Sequence, residues 1–384
     1  KAAYEHDFTL AEGRGPIFRA AACVTCHGHP VTGGSDNGTS NNVPHFMINN
    51  DGNYYLAFEL GGPVVQHLSI AGEPGAEGCS MAGETLPTVP KISTSDRHSP
   101  PVFGFGALDA VADEDIFAFA GRKPYKHPSV IGAVNWSNEL QGLVRLWAFT
   151  FDANRRAPSG PVRAGRFGWK SQTGTLFQFT TEPFNIELGV STPFFPREFS
   201  PDGSPLPLGH PCQKAAATPN DVGSKGSIEL FHFQALLAPP PPLLPMTLKA
   251  HIGKAVFAAV GCADCHRPAL KTVEDYYLPL ADGTAHRVDA LSDKIIFPYS
   301  DLLIHDMGPG LEDGRVMGRA SGRFWRTTPL WGLRFKTRYM HDGRTDSEEQ
   351  SILLHGGEGQ YSTDRFIALP RWQKDALLEF LEHL

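Results

Sequence analysis

The sequence lacks long hydrophobic runs and any excess of positive charge. Its 384 residues include 34 lysines and arginines against 41 aspartates and glutamates, which gives a formal net charge of −7. No stretch approaches the roughly 18 consecutive apolar residues of a transmembrane helix, so we expect no membrane span. A nucleic-acid-binding protein would show a basic face, and the acidic balance argues against a nucleic-acid partner. With 41% hydrophobic residues, the chain can build one large globular core or two modest ones.

Glycine and proline are abundant instead. The chain has 40 glycines and 32 prolines, nearly a fifth of its residues, where ordinary usage is about 12%. We therefore expect an unusual share of the chain in loops and turns, which excludes a fold made of long regular helices throughout.

Cysteine is scarce, and its six residues form an informative pattern. Two pairs are directly followed by histidine, in the strings CVTCH at residues 23–27 and CADCH at residues 262–266. Two thiols at this spacing add to the two vinyl groups of one haem, and the adjacent histidine then binds the iron. A zinc or redox site also uses C-x-x-C, but neither needs a histidine after the second cysteine twice. We predict two covalently bound c-type haems, and their residues are Cys23, Cys26, His27, Cys262, Cys265 and His266.

The haem motifs also predict the compartment. Because c-type haem is attached outside the cytoplasmic membrane, we expect an exported, periplasmic or otherwise extracytoplasmic protein. The residues from Lys1 onward do not have the charged and then apolar pattern of a signal peptide, so we expect the sequence to be the mature form. The remaining cysteines, Cys79 and Cys212, either form a disulfide, which an oxidising compartment favours, or stay as two buried thiols.

The chain repeats itself weakly around the two motifs. Phe18 and Phe257 each lie five residues before the first cysteine of a motif, and each ends a short amphipathic stretch. Both stretches resemble the helix that leads into a cytochrome c haem motif. Thr247 can cap the second of these helices, and Gly261 can end it.

A proline-rich segment divides the chain into two predicted domains. Residues 236–245 contain five prolines and predict an extended polyproline strap, which places the boundary near residue 240. Apolar residues at helical spacing predict a closing helix at the far end, with Pro370 in its first turn. We predict a mainly α fold with two cytochrome c-like haem domains, long irregular loops and few short strands. The first domain is residues 1–240 and the second is residues 241–384.

Four further strings stand out: GRFGWK at residues 165–170, YSDLLIHDMGPGL at 299–311, YMHDGR at 339–344 and ILLHGG at 352–357. Two c-type haem domains joined by a strap resemble the bacterial di-haem cytochrome c peroxidase and MauG superfamily, and the four strings resemble its long-chain branch of di-haem oxidoreductases. The resemblance implies that the first haem reacts with peroxide. It also implies that the second haem is six-coordinate and passes electrons.

The resemblance also implies ligands for the second haem. It places the sixth ligand fourteen residues beyond His341, at His355, where relatives often carry methionine or tyrosine. Met307 is the alternative ligand. Two imidazoles donate more strongly than a His/Met pair, which lowers the reduction potential and favours oxidised iron. We expect His341 to hydrogen-bond a haem propionate or a backbone group, and Arg166 and Lys170 to pair with propionates.

A peroxidatic haem needs an acid–base group close to its sixth position. The peroxidase pattern has a glutamate about twenty residues after a tryptophan, and here Glu187 follows Trp169 by eighteen residues. Glu187 is therefore the predicted acid–base residue, with Glu182 or Asp202 as alternatives and Gln178 as a less favoured second polar group. Trp169 is predicted either to relay charge between the haems or to be an ordinary core tryptophan.

The resting ligand of the first haem is a more open question. His45 lies nine residues after Asp36, close to where relatives place a displaceable histidine. A solvated loop histidine at this position, ligation by His67 and an open site are the alternatives. The relatives also bind calcium through an asparagine before a proline, and His98 and Ser99 stand there instead, which argues against calcium.

Three functions fit these patterns. The first is a di-haem peroxidase-like enzyme that reacts with hydrogen peroxide and takes electrons from a protein or small-molecule reductant. The second is a non-catalytic electron-transfer cytochrome, which would have strong sixth ligands on both irons. The third is a haem-dependent oxygenase, which would have an apolar channel and no distal carboxylate. Glu187 and an open first haem favour the first function.

Overall fold

The chain forms two compact units. The computed structural model describes residues 1–36, 43–50, 53–56, 64–86, 92–120, 128–138, 162–207, 209–213 and 224–384, with backbone alone for 43–50, 53–56, 92–93, 136–138, 162 and 224. Unit 1 comprises Lys1–Val102, Phe177–Gln234 and Leu280–Thr284, and unit 2 comprises Phe103–Leu176, Ala235–Pro279 and Ala285–Leu384. Residues 103–176 thus join the second half of the chain, whereas the sequence-based division at residue 240 puts them in the first.

The helices are short. The described α-helices are Ala2–Glu5, Val24–His27, Phe105–Asp109, Asp113–Ala120, Leu176–Ile186, Ser224–Leu236, Leu248–Val260, Glu348–Leu353, Gln360–Ile367 and Arg371–Glu382. Single 3₁₀ turns are Leu10–Glu12, Cys262–Asp264, Pro309–Leu311, Leu333–Phe335 and Gly357–Gly359. Over the described ranges, no helix combines the length and the apolar character needed to cross a membrane.

The strands are short and pair in antiparallel fashion. Val43–Asn50 pairs with both Asn53–Leu56 and Ile92–Arg97. The other pairs are Ile17–Phe18 with Leu68–Ser69, Trp136–Asn138 with Val162–Ala164, Leu270–Lys271 with Ile295–Ile296, Tyr277–Pro279 with Ala285–Arg287, and Ile304–Asp306 with Phe324–Arg326. The fold is therefore mixed, which corrects the prediction of a mainly α protein. The cytochrome c-like character of the domains stays a prediction.

The helix predicted before the first haem motif does not form. Ile17 and Phe18 are instead a buried β-strand that pairs with residues 68–69. Pro16 directly precedes this strand and has no backbone N–H to donate within a helix. The local helix begins only at Val24, inside the motif itself, and ends at His27.

The helix before the second haem motif forms as predicted. Leu248–Val260 begins at Thr247, whose side chain accepts a hydrogen bond from the Ala250 N–H at 3.0 Å. The helix ends at Gly261, which has a φ of 98° that favours glycine. Its buried face packs on the closing helix Arg371–Glu382, which begins just after Pro370. The core of unit 2 around this pair comprises Val256, Phe257, Val260, Tyr299, Leu333, Tyr339, Phe366, Leu377, Phe380, Leu381 and Leu384.

Gly253 allows these two helices to approach closely. A Cβ atom at this position would lie 1.8 Å from the carbonyl oxygen of Ala376. We expect Gly253→Ala to lower the free energy of unfolding by about 2 kcal/mol, because the helices must separate. Thermal unfolding followed by circular dichroism measures this loss. Gly310→Ala is the matched control, because a Cβ at Gly310 meets no atom within 4 Å. Equal melting temperatures for the two variants would contradict the close packing.

The proline-rich strap belongs to unit 2. The Leu237 carbonyl oxygen accepts from the Gly104 N–H at 2.7 Å, and the Pro241 carbonyl oxygen accepts from Arg334 at 2.7 Å. Leu243 exchanges two hydrogen bonds with His383, at 3.0 and 2.8 Å. The segment is therefore held along its length by the unit that contains the second motif.

Cys79 and Cys212 form a disulfide within unit 1. The bridge packs beside Phe18, Ile70 and Ala76. It spans a sequence separation of 133 residues, for which the chain-entropy model gives a stabilisation of about 5 kcal/mol at most. Of the two alternatives for these cysteines, the structure contains the disulfide.

Candidate functional site

The second motif opens onto a cavity of about 190 Å³ that lies wholly in unit 2. Gly261 ends the preceding helix and leads directly into the 3₁₀ turn Cys262–Asp264. Cys262, Cys265 and His266 therefore reach the cavity wall from one short segment. His355 and Met307, the two candidate sixth ligands, line the same cavity.

His266 and His355 lie close together in this cavity. Their ring centres are 6.5 Å apart, and the ring planes make an angle of 56°. The Nδ1 atom of His266 lies 2.9 Å from the Tyr299 carbonyl oxygen, and that of His355 lies 2.7 Å from the Ser351 carbonyl oxygen. Because a carbonyl oxygen only accepts, both Nδ1 atoms carry the proton, and both Nε2 atoms keep a free electron pair.

Both imidazoles are neutral at physiological pH. Burial, followed by the neighbouring His355, lowers the pKa of His266 to about 4. Burial likewise lowers the pKa of His355. Neutral imidazoles with a fixed tautomer are the form that binds transition metals.

The spacing of this pair fits one metal ion held between two imidazoles. Metal–imidazole bonds of about 2.0 Å, with the radius of each ring added, place two opposed ring centres roughly 6 Å apart. The measured 6.5 Å matches this arrangement. With two thiols of the CADCH motif in the same wall, the donor set suits a c-type haem with two axial histidines.

The first motif lies in unit 1 on the helix Val24–His27. Burial lowers the pKa of His27, whose Nδ1 lies 3.4 Å from the Gly34 carbonyl oxygen. The ring of Tyr4 is centred 6.3 Å from that of His27. A neutral, buried imidazole beside two thiols again suits the proximal side of a c-type haem.

Glu187 lies beside this first motif. Its backbone carbonyl oxygen accepts from the N–H groups of Arg19 and Ala20, at 2.5 and 3.2 Å. Burial raises the pKa of the Cys26 thiol to about 11, and the Glu187 carboxylate contributes further. Burial also raises the pKa of Glu187 itself to about 7, helped by the charge of Glu182 and opposed by that of Arg19. Glu187 is thus a carboxyl group that can gain or lose a proton near neutral pH.

A family described as "Di-haem oxidoreductase, putative peroxidase" matches residues 89–384. The chain belongs to this di-haem oxidoreductase family. No curated protein matches the chain significantly. Among solved structures, a hydrazine synthase from Kuenenia stuttgartiensis, pressurised with xenon, shares 12% identity over 100% of this chain and 90% of its own, with a TM-score of 0.37. So low a similarity establishes neither a shared fold nor a shared chemistry.

Two basic side chains of the di-haem oxidoreductase lie in the wall of the unit 2 cavity, Arg326 and Lys336. Burial lowers the pKa of Arg326 to about 10, and burial followed by the charge of Arg326 lowers the pKa of Lys336 to about 8. In the ranges that the structure describes, neither forms an ion pair with a carboxylate, and the Arg326 Nε has no hydrogen-bond partner. A buried cation is costly without a counter-charge, so this wall fits an anionic group such as the carboxylates of haem.

Removing the Lys336 charge tests this fit. We expect Lys336→Met to lower the reduction potential of the second haem by tens of millivolts, because a nearby cation favours the reduced, less positive iron. Methionine keeps the apolar stem. Potentiometric titration measures the shift, with Lys271→Met as control, because Lys271 is an exposed residue paired with Asp293. Equal potentials in wild type and Lys336→Met would place this lysine away from the haem charge.

The predicted propionate partners Arg166 and Lys170 are engaged elsewhere. Arg166 is fully buried, pairs with Asp113, and donates to backbone carbonyls of residues 108–111. Lys170 pairs with Asp313 at 3.2 Å and donates to three carbonyls of residues 321–324. These contacts give both side chains a role in holding unit 2 together, and the placement adds no support for haem contacts.

His341 and Trp169 both line the unit 2 cavity. His341 stacks on Trp325, with ring centres 3.8 Å apart and an interplanar angle of 14°. Lys336 lies 5.9 Å from the ring centre of Trp169. Trp169 therefore lies in the wall of the cavity at the second motif, close to Lys336.

The candidates for the resting ligand of the first haem are placed unevenly. His45 lies in the strand Val43–Asn50, and its side chain is outside the described part of the chain. His67 is exposed and contacts Arg19 at 2.9 Å. Asp36 is buried, and its carboxylate lies 3.0 Å from the Nδ1 of His98. Asp202, an alternative to Glu187, is exposed.

Proposed function

We propose that this di-haem oxidoreductase is a peroxidase with two covalently attached c-type haems. The haem at the first motif, with His27, reacts with hydrogen peroxide, and the haem at the second motif, with His266 and His355, exchanges electrons. The observation that best supports the proposal is the Glu187 carboxyl beside the first motif, with a pKa of about 7. We also propose that the protein is exported, because haem attachment to these motifs takes place outside the cytoplasm.

The division of labour follows from the residues at each motif. When bound, the haem irons supply the electron exchange and bind peroxide at the first site. Glu187, as a carboxylate, would accept a proton from one oxygen of hydrogen peroxide and return it to the other, departing oxygen. With two electrons and two protons, one hydrogen peroxide yields two waters. His266 and His355 would both hold the haem iron at the second motif, which would leave no free ligand position there for peroxide.

The electron path uses the second motif. Two imidazole ligands favour a low potential, and Arg326 and Lys336 balance the charge of the haem carboxylates. Trp169 relays electrons to and from this haem. The electrons come from a redox protein or a small-molecule reductant.

Spectra of the purified holoprotein test this proposal. We expect an intact mass that includes two haems and a ferric spectrum with one high-spin and one low-spin haem. One equivalent of hydrogen peroxide should change the high-spin signal within the mixing time. Replacing Cys262 and Cys265 by alanine should keep this reaction, whereas replacing Cys23 and Cys26 should abolish it. Two low-spin haems that do not respond to peroxide would instead identify an electron-transfer cytochrome.

A further inference from the structure

The turn that follows His355 is rich in glycine. The helix Glu348–Leu353 ends just before it, and the next residues are Gly356, Gly357, Glu358 and Gly359. Glycine is the residue with the greatest conformational freedom. The position of this turn therefore depends on the contacts that it makes with other segments.

Glu358 supplies hydrogen bonds from this turn to two other segments of unit 2. Its Oε2 accepts from the N–H groups of Ile131 and Gly132 at 2.8 and 3.0 Å. The same oxygen lies 2.8 Å from the Nδ1 of His305, and Oε1 accepts from the Asp306 N–H at 3.2 Å. One carboxylate thus joins the turn to residues 131–132 and to residues 305–306.

His305 extends this anchor to the second haem motif. Its Nε2 lies 3.0 Å from Asp301, and both side chains are only 3% exposed. The Nδ1 of His305 also lies 3.6 Å from the sulfur of Cys265. The chain of contacts therefore connects the turn after His355 to the segment that carries the opposite ligand, His266.

The backbone of the turn also packs tightly on residues 306–308. A Cβ atom at Gly357 would lie 2.1 Å from the Asp306 carbonyl oxygen and 2.6 Å from the Gly308 nitrogen. The turn therefore touches this segment through its backbone, while the Glu358 carboxylate bonds to it through Asp306 and His305.

We propose that Glu358 is a positioning residue for His355, because its carboxylate ties the glycine-rich turn after this ligand to residues 131–132 and 305–306. The inference rests on the proposed haem at the second motif. Without the carboxylate, the N–H groups of Ile131, Gly132 and Asp306 lose their acceptor, and the turn gains freedom. His355 then leaves the iron more often and opens the sixth position to small ligands.

Carbon monoxide binding to the reduced holoprotein tests this role. Wild type should take up carbon monoxide at the first haem alone. In Glu358→Ala we expect a second equivalent to bind at least tenfold faster than in wild type, with some of the ferric second haem becoming high-spin. Glu358→Gln should give an intermediate rate, because its amide keeps one acceptor oxygen and replaces the other by a donor. If the alanine variant does not fold, the carbon monoxide binding rate and the spin state of the glutamine variant test the proposal.

Glu349→Gln is the matched control. Glu349 lies in the helix Glu348–Leu353, which precedes His355, and it pairs with Arg371 at 3.0 Å. Its carbon monoxide rate and spin state should equal those of wild type. Lower melting temperatures of the Glu358 variants with unchanged ligand binding and spin state would overturn the proposal, because the carboxylate would then be merely structural. A wild-type second haem that lacks His355 as a ligand would remove the ligand assignment on which the inference rests, and the peroxide reaction at the first motif tests the proposed function separately.

Discussion

Replacing Glu187 by glutamine is expected to slow hydrogen peroxide reduction by about 10²–10⁴-fold, the usual contribution of a positioned acid–base group. Glutamine has nearly the same size and keeps one acceptor oxygen, but it cannot take a proton and return it. Single-turnover mixing of the holoprotein with hydrogen peroxide, followed by absorbance, measures this rate. The haem content and the spectrum of the second haem should stay unchanged, because Glu187 lies in unit 1 beside the first motif.

The pH profile gives an independent test of the same residue. Burial, followed by the charge of Glu182, raises the pKa of Glu187 to about 7. The reaction needs the carboxylate, so the rate should rise with pH through about 7 and level off above it. Glu187→Gln should lose this inflection along with the rate.

Glu182→Gln separates Glu187 from the alternative acid–base residue. Because the Glu182 charge helps to raise the pKa of Glu187, its removal should move the inflection to lower pH. The rate on the alkaline plateau should stay close to that of wild type. Full activity in Glu187→Gln together with a large loss in Glu182→Gln would assign the acid–base role to Glu182.

The parts of the site that are encoded locally could be read from the sequence. The C-x-x-C-H spacing is itself the chemical requirement for haem attachment. Thr247 and Gly261 act on their own helix ends, so the helix Leu248–Val260 was predicted with its limits. Family resemblance, and no local pattern, pointed to His355, and the structure places its ring 6.5 Å from that of His266.

The parts that depend on distant contacts could not be read from it. Ile17 and Phe18 belong to a short stretch whose pattern suits an amphipathic helix, yet they pair with residues 68–69 as a strand. Arg326 lies in a three-residue strand with no motif around it, and only its burial in the cavity wall of the folded chain makes it a candidate partner for an anion. Arg166 belongs to the GRFGWK string, which resembles the family, but its ion-pair partner Asp113 lies 53 residues earlier in the chain.

Replacing His355 by methionine is expected to raise the reduction potential of the second haem on the order of 0.1 V, a fraction of the roughly 0.8 V range that axial ligands cover. A thioether donates less than an imidazole and stabilises oxidised iron less. Spectroelectrochemical titration measures the potential. The haem should stay low-spin, because the methionine occupies the same side of the cavity opposite His266.

Met307→Leu distinguishes the two candidate ligands. Met307 lines the same cavity, and leucine keeps its volume without the sulfur. If His355 is the ligand, Met307→Leu should leave the potential unchanged. A reduction potential that changes in Met307→Leu and stays constant in His355→Met would identify Met307 as the sixth ligand of the second haem. Because a His/Met haem accepts electrons more readily but supports oxidised iron less well, the choice of ligand decides which role the second haem can play in peroxide turnover.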